Sequence, residues 1–306
     1  MTALIAAAPT VVVTGANGLV GSHVVSALSE RGATVRAVVR RVGTAPDTAG
    51  VEEHVGDFAD PAFAASVVAG ADALVTTVHP LGSGRDDQRR VGLKGTLVIA
   101  EAAVSAGVPL VVHVSTAGVY DRSPGAGDIT EDSALVADDD GDDYAVIKRD
   151  VDAALGRLSG ATRVLLRPPA ILGEGESSVW NTLGPAAIAE DENRRRAIPE
   201  KSFAWVHVDD LGVIAADLAT GTIPVADDPA VGPVAGGCTP VNVAGGPATQ
   251  RDYLGAVTSA LGVTPTWDDG EAWTGQISAD RARGWGWSPQ VSLEDALAEL
   301  KAGLRA

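Results

Sequence analysis

Apolar and polar positions fall in blocks along the chain, and the period of the pattern changes from block to block. Residues 11–13 (Val11, Val12, Val13) are a short apolar run and read as a first strand. Residues 18–31 repeat apolar side chains at helical spacing through Leu19, Val20, Val24, Val25, Ala27 and Leu28, and stop near Gly32. The alternation continues. Strands are predicted at 35–39, 51–55, 71–78, 110–115 and 163–166. Helices are predicted at 60–69, 85–106 and 143–158, the second with apolar residues at Val91, Leu97, Val98 and Ala102. The acidic loop 121–142, with its run Asp138-Asp139-Asp140, reads as solvated.

After residue 167 the rhythm loosens. A helical stretch is expected at 176–190, a strand at 203–208, a helix at 209–220 and a late strand at 239–243, with a Pro/Gly-rich loop at 224–237. Two helices close the chain, at 247–261 and 291–304, the second with Ser292 placed to cap it. Strands alternating with helices imply an α/β fold: a doubly wound parallel sheet covered on both faces, with right-handed crossovers. The expected division is a nucleotide-binding domain over 1–167, to which 204–244 returns, and a smaller C-terminal substrate-binding lobe from 168–203 and 245–306.

Composition narrows the functions available. Of 306 residues 45% are apolar but only 4% aromatic, so Ala, Val and Leu must build the core. The formal net charge of −17 argues against nucleic acid or an anionic membrane as partner, since both need a basic face. It also means that an anionic ligand must be held by local donors. A single cysteine, Cys238, cannot form an internal disulfide, which fits a reducing cytoplasm. No run approaches the length of a membrane span, and the apolar stretch 4–8 lacks the basic start of a signal peptide.

The candidate chemistry begins at Thr14-Gly15-Ala16-Asn17-Gly18-Leu19-Val20-Gly21, between the first strand and the first helix. One glycine permits a tight turn, another lets a diphosphate approach the backbone, and the last lets helix and strand pack closely. The helix N-terminus then offers free N–H groups to the anion. Further on, Tyr144 and Lys148 lie four apart on a predicted helix and so share one face. An ammonium beside a phenol favours the phenolate, and the pair suits proton transfer. Ser115-Thr116 ends the fifth strand, where a hydroxyl can donate to a substrate carbonyl or alkoxide.

In this order the motifs resemble those of the extended short-chain dehydrogenase/reductases, the group that includes NAD(P)-dependent epimerases, dehydratases and reductases, built on a Rossmann-type sheet. The glycine turn resembles the family's own, and Gly56-Asp57 its adenine-contacting segment. Val114-Ser115-Thr116-Ala117-Gly118-Val119-Tyr120 resembles the segment carrying the catalytic Ser/Thr, with Thr116 in the catalytic position and Ser115 beside it. Tyr144 and Lys148 match the catalytic pair. Arg167-Pro168-Pro169-Ala170-Ile171-Leu172-Gly173 resembles the segment along the nicotinamide, and Trp205-Val206-His207-Val208-Asp209-Asp210 a late signature of the extended type. Gly286-Trp287-Ser288-Pro289 resembles the usual approach to the last helix.

The resemblance implies an enzyme of hydride transfer. Thr116, Tyr144, Lys148 and Ser115 are its expected catalytic residues. The cofactor is expected to meet Gly15, Asn17, Gly18, Leu19, Val20, Gly21, Arg40, Arg41, Asp57, Phe58, Thr77, Lys148, Pro168, Ala170 and Ile171; no metal is called for. The second strand ends in Arg40-Arg41 with no carboxylate, which favours NADP(H) over NAD(H) because arginine pairs with a 2′-phosphate. The expected activity is carbonyl reduction or alcohol oxidation on a small molecule. A nucleotide-sugar epimerase or dehydratase and a non-catalytic NADP sensor stand as alternatives. Against nucleotide sugars, Pro169 and Ala170 stand where such members often carry Asn, and Gly92 where another Asn is common before Gly95-Thr96. Arg194-Arg195-Arg196 is either a solvated loop or a grip for diphosphate. His79 and the indoles of Trp180, Trp205, Trp267 and Trp273 either meet substrate or merely pack. A cytoplasmic homodimer through helices 85–106 and 143–158 completes the expectation.

Overall fold

The computed structural model describes residues 8–78, 80, 84–138 and 142–305. His79, Asp139 and Asp140, and most of the apolar stretch 4–8, lie outside the described residues. The chain divides into two compact units: one from 1–114, 150–165 and 212–239, the other from 115–149, 166–211 and 240–306.

In the first unit, β1 (Thr10–Thr14) leads through the glycine turn into α1 (Leu19–Glu30). β2 (Thr34–Val39), β3 (Val51–Val55), α2 (Pro61–Val68) and β4 (Ala73–Thr76) follow. Asp60 caps α2 by accepting from the Phe63 N–H, with Pro61 in the first turn where its missing N–H costs nothing. The long helix expected at 85–106 is present with a change of pitch. A single turn, α3 (Arg85–Asp87), passes into π-helical turns over Gln88–Gly95 and then into α4 (Thr96–Ser105). The wider turns coincide with Gly92 and Gly95, both buried. A Cβ on Gly95 would stand 2.8 Å from the Phe58 ring, so close approach at this point requires glycine.

β5 (Leu110–Val114), α5 (Asp143–Arg157) and β6 (Thr162–Arg167) complete the alternation. The main sheet has seven strands in the order β10-β6-β5-β4-β1-β2-β3, with β10 at Cys238–Asn242. The ladders joining β3, β2, β1, β4 and β5 are all parallel. Strand order reverses between β1 and β4, which opens a crevice at their carboxyl ends. Val12, Leu74 and Val111 of the strands and Val67, Ile99 and Leu155 of the helices meet in one core whose aromatic residues, among the described residues, are Phe58 and Phe63.

The second unit holds the strand expected at 203–208, shortened to three residues, and three short strands that the hydrophobic pattern did not announce. β7 (Ala170–Leu172) pairs in parallel with β9 (Trp205–His207), and two-residue β8 (Arg196–Ala197) pairs with β11 (Thr266–Trp267). The stretch expected to be helical at 176–190 is a π-helical turn at Val179–Leu183 followed by α6 (Gly184–Glu190). α7 (Val208–Ala219) begins here but lies mostly in the first unit; α8 (Gln250–Leu261) is opened by a reciprocal cap between Thr249 and Asp252. After the short α9 (Asp280–Gly284), Ser292 caps α10 (Leu293–Gly303), accepting from the Asp295 N–H at 3.1 Å. This unit's core is aromatic: Phe203 and Tyr253 stack at 4.2 Å, with Trp180 edge-on to both. Trp205 and Trp273 are also buried. The three arginines at 194–196 are engaged locally, with Asp191, with the Ile188 and Ala189 carbonyls, and with Asp268 respectively.

Candidate active site

In the first unit the glycine turn is a cradle with no room for side chains. Gly15 has φ +67°, and a Cβ there would meet Val78 at 2.7 Å and the Thr77 hydroxyl at 3.0 Å. A Cβ on Gly21 would lie 2.0 Å from the Gly15 carbonyl oxygen. Gly18 donates its N–H to that same carbonyl at 2.9 Å and begins α1 without any side-chain cap. The first-turn N–H groups are thus left for a ligand, as an anion at a helix N-terminus needs. Asn17 is exposed beside them, and Leu19 and Val20 open the helix. Thr77 donates its hydroxyl to the Thr14 carbonyl at 2.7 Å, tying β1 to the end of β4. These features fit a dinucleotide diphosphate.

At the end of β2, Arg40 and Arg41 are both exposed. The loop beyond them is held by β3: the Glu53 carboxylate accepts from the N–H groups of Gly43 at 2.9 Å and of Thr44 and Ala45 at 3.0 Å. Those bonds hold its carboxyl below the usual carboxylate range, the one from Gly43 contributing most. Arg36 points elsewhere, donating to the Val67 and Ala69 carbonyls at the end of α2. Asp57 accepts from the Ala59 N–H at 2.9 Å. Phe58 is 5% exposed and belongs to the core, which leaves only its backbone for a ligand.

In the second unit, Ser115 and Thr116 follow β5. The Ser115 N–H donates to the Leu166 carbonyl and the Ala117 N–H to the Pro168 carbonyl, each at 2.7 Å. Thr116 Oγ1 accepts from the Gly118 N–H at 3.0 Å and so caps the 3-10 turn Ala117–Val119. That bond uses a lone pair and leaves the hydroxyl proton to donate. Ser115 Oγ is buried with no hydrogen-bond partner among the described residues. Gly118 sits between the candidate groups: a Cβ built on it lies 3.2 Å from Thr116 Oγ1 and 3.8 Å from the Tyr144 ring. Tyr144 stands in the first turn of α5, part-exposed, with the helix start held by Asp142 accepting from the Ala145 N–H at 2.7 Å. Lys148, one turn on, is 3% exposed.

A polar network behind Thr116 has no local sequence signature. Arg167, 5% exposed, donates to the Tyr120 hydroxyl at 2.8 Å and lies over its ring. Tyr120 donates to Asn242 Oδ1 at 2.8 Å, and the Asn242 N–H donates to Glu131 at 2.9 Å. The arginine of the Arg167–Gly173 segment is therefore an interior strut. The segment's backbone is set by β7, where the Ala170 N–H donates to the Ala204 carbonyl at 3.1 Å and Ile171 is in register with Val206. A cleft of about 200 Å³ in this unit is lined by Ser202, Trp205, Gly245, Thr249 and Gln276, among others, with no lysine or arginine among the described residues of its wall. His207 is enclosed between Asp209, at 3.4 Å, and Glu299 of α10, at 3.1 Å. Burial pushes its pKa down, but the two carboxylates together outweigh burial and leave it raised.

Comparison with known proteins bears on the fold and on nucleotide binding. Residues 15–211 match a family model described as NAD(P)H-binding. A sterol demethylase protein B from Methylococcus capsulatus is 31% identical over 68% of this chain and 65% of its own length. A ceramide reductase from Caulobacter vibrioides is 28% identical over 65% of this chain, which spans only 57% of that protein. A cinnamoyl-CoA reductase from Medicago truncatula is 30% identical over 66% of this chain and 69% of its own. Among solved structures, the Bordetella bronchiseptica enzyme WbmH in complex with NAD+ superposes with a TM-score of 0.77 at 20% identity, covering 97% of this chain and 99% of that one. The UDP-glucose 4-epimerase of Thermotoga maritima gives 0.73 at 18%, covering 97% and 98%. The chain belongs to the NAD(P)H-binding family that this model describes, and it shares the fold of these NAD-bound and epimerase structures.

Proposed function

We propose that this protein is an NADP(H)-dependent carbonyl reductase, or alcohol dehydrogenase in the reverse direction, acting on a small molecule without a diphosphate. The observation that carries the reading is the grouping of Thr116 and Tyr144 about Gly118, with Lys148 one helical turn from Tyr144. Thr116 keeps its hydroxyl proton free and orients the substrate oxygen by donating to it. Tyr144 gives or takes the proton at that oxygen, and Lys148 lies on the same helix face to favour the phenolate and to hold the nicotinamide ribose. The bound nicotinamide supplies or accepts the hydride. Relatives named as reductases support the net redox direction, and Arg40 and Arg41 support the phosphorylated cofactor.

The local engagement of all three arginines at 194–196 weighs against a nucleotide-sugar substrate. The decisive assay follows nicotinamide absorbance with NADPH or NADH and a panel of aldehydes and ketones. Net NADPH consumption with at least one class is the expected result. Stoichiometric co-purified nucleotide with no net consumption, and interconversion of nucleotide sugars, would overturn it in favour of an epimerase. A cytoplasmic homodimer through 85–106 and 143–158 belongs to the same proposal, and light scattering on the purified protein tests the dimer.

A further inference from the structure

The loop after β2 carries the two arginines on which the NADP(H) reading rests, and the loop is not held by its own sequence alone. Three successive N–H groups, from Gly43, Thr44 and Ala45, converge on the Glu53 carboxylate. Gly43 has φ +73°, the left-handed conformation that lets successive N–H groups turn toward one anion. Thr44 closes the same loop by donating its hydroxyl to the Arg41 carbonyl at 2.7 Å. Glu53 comes from the edge strand, in register with Ala37 of β2. Among the described residues, neither Arg40 nor Arg41 has an ion pair or side-chain hydrogen bond, and both are exposed. A carboxylate within reach of an arginine ordinarily pairs with it. Here both carboxylate oxygens are committed to backbone donors instead.

We propose that Glu53 is a positioning residue for cofactor choice: it fixes the loop that presents Arg40 and Arg41 and, by being tied to that loop's backbone, leaves both guanidinium groups free for a phosphate monoester. The ligand is the 2′-phosphate of the adenosine ribose, so the inference rests on the NADP(H) reading above. Glu53 touches no reacting atom, and its effect belongs entirely to the difference between phosphorylated and unphosphorylated nucleotide.

The test is fluorescence titration of the full-length protein with NADPH and with NADH, for the wild type, Glu53→Gln and Gly43→Ala. Glutamine keeps the shape but offers one acceptor oxygen in place of two, and its amide confronts an N–H donor. Alanine at 43 meets no atom within 4 Å, so its cost is confined to the positive φ of the same loop. The expected result is a wild type that prefers NADPH and two variants in which that preference falls about fivefold while NADH affinity holds. Retained NADH binding also reports that the nucleotide site is folded. If the wild type prefers NADPH and both variants keep the same NADPH-to-NADH ratio, or lose both nucleotides equally, the role of Glu53 is overturned and the NADP(H) reading stands. If the wild type shows no preference for NADPH, that reading falls and the inference falls with it.

Discussion

Single side chains set how sharply the reading can be tested. Tyr144 and Thr116 face the same small space at Gly118, so removing one hydroxyl leaves the other in place. Tyr144→Phe is expected to lower turnover by about 10²–10⁴-fold, the usual contribution of a positioned acid or base, with NADPH affinity within about twofold of wild type. Steady-state rates and nucleotide titration on the same preparation check both halves; unchanged turnover would remove Tyr144 from the chemistry. At this scale the sequence was legible where chemistry repeats a spacing. Tyr144 and Lys148 are visible as neighbours because four residues make one helical turn. The Glu53 nest was not legible. A glutamate on an edge strand looks like any solvated charge, and nothing in the local pattern shows that the backbone ten residues earlier turns toward it.

Between elements, the ties are polar and long in sequence. Tyr120 and Asn242 are 122 residues apart, and Arg167 joins them; no periodicity predicts such a meeting. The main sheet was readable because buried parallel strands appear as apolar runs between helical blocks. β9 falls within the strand expected at 203–208, but its partner β7 and the pair β8–β11 were not readable, since two or three residues carry too little pattern. His207 links β9 to α10 through Glu299 and accounts for a pH effect. Its folded pKa is raised, so its stabilisation is complete below the ordinary imidazole value of about 6.5 and is lost as pH rises through the folded value. The melting-temperature difference between wild type and His207→Gln should therefore be larger near pH 6 than near pH 8. A difference independent of pH across that window would show that the ion pairs contribute nothing.

For the whole molecule, the dominant facts are a charge of −17 and a nucleotide site built from glycine. The global field opposes an anionic cofactor, so its binding depends on backbone donors and on few cations. NADPH at about a hundred times its Kd should stabilise the folded protein by about 2.7 kcal/mol, read as a rise in melting temperature. Gly21→Ala forces a Cβ to 2.0 Å from the Gly15 oxygen and should cost about 1–3 kcal/mol from overpacking, with the NADPH-dependent shift abolished. A variant that keeps the full shift would place the diphosphate elsewhere. Among the described residues no helix is long and apolar enough to cross a membrane.

The chain has only three tyrosines, and burial sorts them. Tyr120 is 1% exposed and bonded between Arg167 and Asn242; Tyr253 is 3% exposed, with its phenol pKa raised by burial and its hydroxyl on the Trp180 carbonyl. Tyr144 alone is open to solvent. A reagent that nitrates phenols from solution, such as tetranitromethane, should mark Tyr144 and spare the other two, as peptide mapping would show. Nature has in effect left a single addressable chromophore at the candidate site. Its colour would report substrate or inhibitor arriving beside it before any substrate is known by name.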